Sequence, residues 1–257
     1  ALKVVEADSP EQFMVYGRGI LHLSILVETM RREGYEIQLG QPKVVVKEID
    51  GRKHEPIERL IVDVSEEFSG KVIQFVTKRK GDILNITSKN DRFLLECKIS
   101  ARGLIGLTNR ILAATGGEAV ISHRFQGFEP WKGEILSKRN GALIAMKNGT
   151  AVAYSINKLQ GRGKLFIDPN EEVYAGQVIG ENTRSEDLVI NVIKTKKLSN
   201  MRASGSDEAM SIAPATKFSL EEAMEYVGED EYVEVTPKFI RFRKILLAEL
   251  DRKRKPK

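Results

Sequence analysis

Lys194, Lys196, Lys197, Asn200 and Arg202 stand close together in the chain, interspersed with the small residues Ser199, Ala203, Ser204 and Gly205. Their chemistry suits a sugar-phosphate backbone. The cations supply charge, the Asn200 amide and Ser204 hydroxyl supply directed hydrogen bonds, and the small neighbours permit close approach. The stretch from Lys194 to Ala215 has no strand or helix periodicity and is too long for an ordinary connection, which marks a functional loop or a disordered one. Two further runs share its sign. Lys138, Arg139, Lys147, Lys158, Arg162 and Lys164 lie between Glu134 and Asp168 with no acid among them. The last twenty residues carry nine basic side chains, Arg241 and Arg243 among them, against Glu249 and Asp251. Any one basic run is better read as a solvated surface, but three in one half of a chain of net charge +5 shift the reading towards a polyanionic partner.

Other chemistries find no residues to carry them. No GxxxxGK[ST] loop is present, Gly17-Arg18-Gly19 lacks the third glycine of a dinucleotide fingerprint, and Gly161-Arg162-Gly163-Lys164 lies between predicted strands with no helix to lend its dipole. His22, His54 and His123 are far apart in sequence and read as structural. The single cysteine, Cys97, alternates with apolar residues and reads as a packed side chain; a chain with one cysteine has no disulfide framework and fits a reducing cytoplasm. Glu66-Glu67 and Glu229-Asp230-Glu231 read as solvated turns. No catalytic residue, metal site or cofactor is therefore expected in this chain, and no apolar run is long enough to span a bilayer.

These cations need a scaffold, and the first half of the chain is organised by an internal repeat. Arg18, Gly19, Ile20, Leu21, Leu23 and Ser24 recur in type and spacing as Arg102, Gly103, Leu104, Ile105, Leu107 and Thr108, each set between a strand and a helix. Strands are predicted at Leu2 to Ala7 and Gln12 to Tyr16, then a helix capped by Ser24 and closed near Gly34, then an extended run from Tyr35 to Ile49. From Arg59 to Arg124 the order is β, α, β, β, α, β, a split-βαβ plan with Asn90 and Asp91 turning the central hairpin. If the repeat is real, the first copy is the same fold without its opening strand and helix.

From Trp131 the pattern becomes short β runs with hairpin signals at Asn140-Gly141 and Asn148-Gly149, strands including Ala151 to Ile156, and a barrel or strongly curved sheet as the expected result. One helix interrupts them, with Ser219 and Glu222 forming a capping box and Gly228 closing it. A short basic helix from about Lys244 ends the chain. The fold class is thus α+β: two ferredoxin-like split-βαβ domains, the first truncated (1–53) and the second complete (54–129), then a β-rich barrel-like domain with a capped helix (130–257).

At Tyr16 to Ile37 (YGRGILHLSILVETMRREGYEI) the chain closely resembles the third domain of the TypA/BipA family, relatives of elongation factor G. The resemblance continues through Ser100 to Gly117 (SARGLIGLTNRILAATGG), similar to the fifth domain, and through Lys197 to Ala209 and Glu231 to Lys244 in the domain particular to that family. It implies a translational GTPase whose nucleotide domain and barrel-shaped second domain precede Ala1, so that GTP and magnesium belong to a part outside this chain. It also implies binding at the factor site of the ribosome, a role in large-subunit assembly and in stress or cold adaptation, and a monomer in the cytoplasm. A loop of the last domain, corresponding to Lys194 to Asp207, is expected to reach the acceptor end of A-site transfer RNA and large-subunit ribosomal RNA. The alternative is a protein-interaction module whose basic loops are incidental.

Overall fold

The structure, a computed structural model, describes residues 2–7, 9, 11–135, 140–195 and 211–254. The chain divides into two compact units, residues 1–41 together with 138–257, and residues 42–137.

The chain opens with β1 (Lys3–Glu6) and β2 (Phe13–Tyr16), an antiparallel pair, followed by α1 (Ile20–Arg32). Gly19, not Ser24, stands at the N-cap of α1. Ser24 lies inside the helix, where its hydroxyl donates to the Leu21 carbonyl at 2.9 Å and to Glu221 Oε1 at 3.2 Å. Arg31 and Arg32 close α1, cations at the end where the helix dipole favours them. The extended run expected after the helix resolves into two short strands, β3 (Ile37–Leu39) and β4 (Lys47–Ile49).

Residues 42–137 continue from β4 with β5 (Arg52–Ser65), α2 (Ser69–Lys78), β6 (Asp82–Lys89), β7 (Arg92–Ser100), α3 (Ala101–Leu104), α4 (Leu107–Ala114) and β8 (Val120–Pro130). β5 is central, flanked by β7 and β8, with β6 outside β7; all pairs are antiparallel, the ferredoxin-like arrangement. Asn90 and Asp91 turn the β6–β7 hairpin with φ of 50° and 59°, the left-handed pair a tight hairpin turn requires. Alternate residues Leu60, Val62, Leu95, Cys97 and Ile99 face inward against Val72, Val76 and Ile111 of the helices. The repeated Arg-Gly grammar yields two different helices. Where α1 has His22, the second copy has Gly106 at φ 69°, and there the helix breaks into α3 and α4. Arg102 of that copy is structural: its guanidinium reaches both oxygens of fully buried Glu55, at 2.7 and 3.1 Å, and lies over the Trp131 ring.

The other unit is completed by β9 (Ala142–Ala145), β10 (Gly149–Thr150), α5 (Ala153–Leu159), β11 (Gly163–Leu165), β12 (Glu172–Val173), β13 (Gln177–Asn182), β14 (Leu188–Ile190), α6 (Leu220–Tyr226), β15 (Glu231–Val235), β16 (Ile240–Lys244) and α7 (Glu249–Arg254). Its main sheet runs β14-β9-β13-β16-β15-β3, with β11 also on β13. The expected barrel is not formed. β14 and β3 end the sheet without meeting among the described residues, and apolar side chains leave it on both faces, so each face is covered by helices instead of one being enclosed. Ile144, Val178, Val233, Val235 and Phe242 pack with α1 and α6; Leu143, Ala145 and Ile179 pack on the other face with Ile156 of α5. The capping box of α6 is present, with Ser219 and Glu222 bonded reciprocally. Ala151 to Ile156, expected as a strand, instead leads into α5. Among the described residues the Asn-Gly pairs do not join hairpin partners: β10 pairs with β12, and β9 with β13 and β14.

Candidate nucleic-acid interface

The long excursion after Lys194 is pinned at both feet to one helix. Ser155 of α5 donates from its hydroxyl to the Lys194 carbonyl at 2.6 Å. Gln160, just past the end of α5, donates from Nε2 to the Ser211 carbonyl at 3.1 Å and accepts the Ala213 N–H at 3.2 Å. The departing and returning ends of the excursion are therefore held by residues about one and a half helical turns apart. Lys194 is exposed at the first foot, and Lys158 is exposed on the same helix. Lys196, Lys197, Asn200, Arg202 and Ser204 lie outside the described residues, as do Lys138 and Arg139.

Arg241 and Arg243 alternate with buried Phe242 and Lys244 along β16, so they project from the opposite face of the sheet, the face that carries α5. Both are half-buried. The Arg241 guanidinium lies 4.0 Å from the Phe239 ring centroid; Arg243 donates to the carbonyls of Lys244 and Ile245 at 3.2 and 3.4 Å. Neither pairs with a carboxylate at ion-pair distance among the described residues, although Glu234 sits directly across from Arg241. Glu234 accepts the Tyr174 hydroxyl at 3.1 Å, and burial together with that carboxylate pushes the Tyr174 hydroxyl far above its usual range.

Arg162 and Lys164 sit elsewhere on the same unit. Arg162 is in the one-turn helix after α5 and its carbonyl accepts the Thr183 N–H at 2.9 Å; Lys164 stands opposite Glu181 in the β11–β13 ladder. Measured along β13, Lys164 and Arg243 are four residues apart, about 13 Å. Gly161-Arg162-Gly163 owes its glycine to packing and not to a phosphate loop. At Gly163 a Cβ would stand 1.8 Å from the Glu181 carbonyl oxygen, so the strand contact itself demands glycine. Arg184, exposed, is brought next to this edge by a bond from the Gly141 N–H to its carbonyl at 2.7 Å. Charge counting along the chain passes over it because Glu181, Glu186 and Asp187 surround it in sequence.

Of the nine basic side chains of the tail, Arg243, Lys244, Arg252 and Lys253 are engaged. Lys244 is buried among Asp187, Asp230 and Glu231 at 2.7, 2.7 and 3.0 Å, so the acidic triplet expected to be a solvated turn is in part a buried ion cluster. Lys253 pairs with Glu249, and Arg252 donates to the Leu246 and Leu247 carbonyls. His22 accepts the Arg18 N–H, His54 contacts the Arg52 carbonyl and His123 contacts Glu58. Among the described residues no group of three or more His, Cys, Asp or Glu side chains could hold a metal, and no helix is long and apolar enough to cross a membrane.

Two family descriptions match this architecture. Residues 52–139 match the elongation factor G C-terminus, and residues 140–249 match the TypA/BipA C-terminal domain. Proteins named large ribosomal subunit assembly factor BipA are similar along the chain: that of Haemophilus influenzae is 47% identical over 256 residues, covering 99% of this chain and 42% of the relative. Those of Salmonella typhimurium and Bacillus subtilis are 46% and 43% identical and are also covered to 42% of their length. The chain belongs to the TypA/BipA family, and it spans about two fifths of the length of these relatives.

Proposed function

We propose that this chain is the RNA- and ribosome-binding part of a TypA/BipA-type translational GTPase that acts in assembly of the large ribosomal subunit and in stress or cold adaptation. Residues 1–53 are on this view an elongation factor G domain III-like remainder, 54–129 a domain V-like module and 130–257 the RNA-binding module. GTP and magnesium belong to a nucleotide domain outside these residues, so the chain itself catalyses no reaction. The partners are large-subunit ribosomal RNA and A-site transfer RNA, met by a monomer in the cytoplasm.

One observation carries the proposal: the two ends of the cationic stretch are held by Ser155 of α5 and by Gln160 just past it, on the sheet face from which Arg241 and Arg243 project. Lysine and arginine there neutralise phosphates, and directed donors read the shape of folded RNA. The names of the relatives support the choice of the large subunit as target. Binding of the chain to purified large subunits across a salt series tests it. Replacing Lys196, Lys197 and Arg202 together by alanine is expected to weaken binding and to lower the salt slope by about 0.7–0.9 for every phosphate that is no longer neutralised. Binding that ignores both salt and ribonuclease favours a protein-interaction module instead.

A further inference from the structure

The β15–β16 hairpin is a rigid tip. Thr236 and Phe239 close it reciprocally, the Thr236 N–H donating to the Phe239 carbonyl at 2.9 Å and the Phe239 N–H to the Thr236 hydroxyl at 3.0 Å. Pro237 fixes one backbone angle of the turn. Arg31 of α1 then clamps the tip, donating to the Thr236 and Pro237 carbonyls at 2.9 and 3.4 Å.

Beside this tip the sheet divides. The first residues of β13 pair with β16 and its last with β11, so the two strands part near Ile179 and leave a cleft of about 580 Å³. That volume is in the range of small-ligand sites. Half-buried Phe166 and Phe218 line it over the buried ring of Phe242, and the tip residues Lys238, Phe239 and Arg241 form its rim. The acids at the rim are already engaged: Glu28 by Arg31 and Arg32, Glu171 by Lys217. Lys238 and Arg241 have no carboxylate at ion-pair distance among the described residues. The Phe239 ring is 45% exposed with the Arg241 guanidinium on it, so ring surface remains open to a second planar group.

We propose that this cleft receives one unpaired nucleotide of an RNA, its base stacked on Phe239 and its flanking phosphates held by Lys238 and Arg241. An aromatic ring between two cations, held on a hydrogen-bonded turn, is the arrangement by which proteins grip single-stranded nucleic acid: π-faces take bases and cations take the backbone. The proposal rests on the RNA-binding reading above and adds a site to it, independent of the excursion after Lys194.

The test uses the full chain and two fluorescent probes, a single-stranded RNA decamer carrying 2-aminopurine and the same strand in a duplex. The wild-type chain is expected to bind the single strand with quenching of the 2-aminopurine. Phe239→Ala is expected to abolish the quenching and weaken single-strand binding roughly tenfold, leave duplex binding unchanged, and keep the salt slope; Phe239→Trp is expected to retain both signals. Lys238→Ala with Arg241→Ala is expected to lower the single-strand salt slope by about 0.7 for each phosphate set free. Wild-type binding that survives Phe239→Ala or Phe239→Leu with its quenching intact overturns the cleft and leaves RNA binding standing. Competition by free adenosine monophosphate at the affinity of the decamer overturns the assignment to RNA in favour of a mononucleotide site. If the wild-type chain binds neither probe, the RNA reading falls and the cleft with it.

Discussion

Lys244 and Glu231 face each other across β15 and β16, 2% and 1% exposed, with the ammonium 3.0 Å from the carboxylate. Burial alone would pull the Lys244 pKa down; Glu231 above all, with Asp187 and Asp230, more than reverses this and leaves it above its ordinary value. A raised folded-state pKa means the contribution is fully present below the unfolded value, about 10.4, and is lost only as pH rises through the folded one. Lys244→Met strands a buried carboxylate and is expected to lower stability by about 3–5 kcal/mol at neutral pH, whereas Lys244→Met with Glu231→Gln is expected to recover a large part. Urea unfolding of both single variants and of the double variant measures the difference, and a double loss equal to the sum of the single losses would show that the pair is not coupled.

Gln160 joins both sides of the returning foot of the excursion to α5. Gln160→Ala removes these two hydrogen bonds and a third, from Nε2 to Asn157 Oδ1 at 2.8 Å, each worth about 0.5–1.5 kcal/mol at most in stability. Affinity for large subunits is expected to fall several-fold while the melting temperature moves by a few degrees. Retained affinity in a sedimentation assay would mean that the excursion acts without its anchor.

Cys97 is fully buried between the sheet and helices of the ferredoxin-like unit, and burial first, with Asp82 and Glu96 adding to it, pushes its thiol up to about 12. The thiolate is the reactive form, so a disulfide reagent at mildly alkaline pH is expected to leave the native chain unlabelled and to label it stoichiometrically in guanidinium. Rapid native labelling would place Cys97 near solvent and contradict the packing.

Asp168 is held below the usual carboxylate range chiefly by the hydrogen bond from Lys217, which also bridges Glu171. A depressed folded-state pKa contributes stability above the unfolded value, about 3.9, and loses it as pH falls through the folded one. Asp168→Asn is expected to cost up to about 1 kcal/mol at pH 7, a value typical of exposed pairs, and to make stability fall less steeply in acid than in the wild type. Parallel slopes below the unfolded value, read from urea midpoints, would exclude the pair as a source of acid sensitivity.

What the sequence disclosed and what it hid divide along the range of the forces involved. The Asn90-Asp91 turn and the Ser219-Glu222 box are decided by neighbours a few residues away, and both stand as expected. α5 was unreadable because Ala151 to Ile156 is rich in strand-forming side chains. Its helical state depends on distant partners, the Val192 carbonyl accepting the Val152 N–H and the Lys194 carbonyl accepting the Ser155 hydroxyl. Asn140-Gly141 and Asn148-Gly149 give turn chemistry but carry no information about which strands then pair. Lys244 shows the limit for charge: expected to open a basic helix, it instead ends β16, and only the register against Glu231 reveals that it is neutralised there, while α7 begins at Glu249. Composition singles out the cations, Arg241 among them, but not the place of Phe239 beside Lys238 and Arg241, since that ring and the clamp from Arg31 come together only through the hairpin and α1.

Because Val233, Glu234 and Val235 pair with Leu39, Gln38 and Ile37, the sheet that presents the cations is sewn together from stretches separated by nearly the whole chain. On a ribosome making this protein, residues 42–137 are contiguous and able to settle as soon as they emerge, whereas the strand near residue 38 must wait, edge unpaired, until β15 follows it out. Synthesis order thus makes this sheet mature after residues 42–137, and a nascent chain stalled short of residue 231 would carry an open strand edge and no hairpin tip.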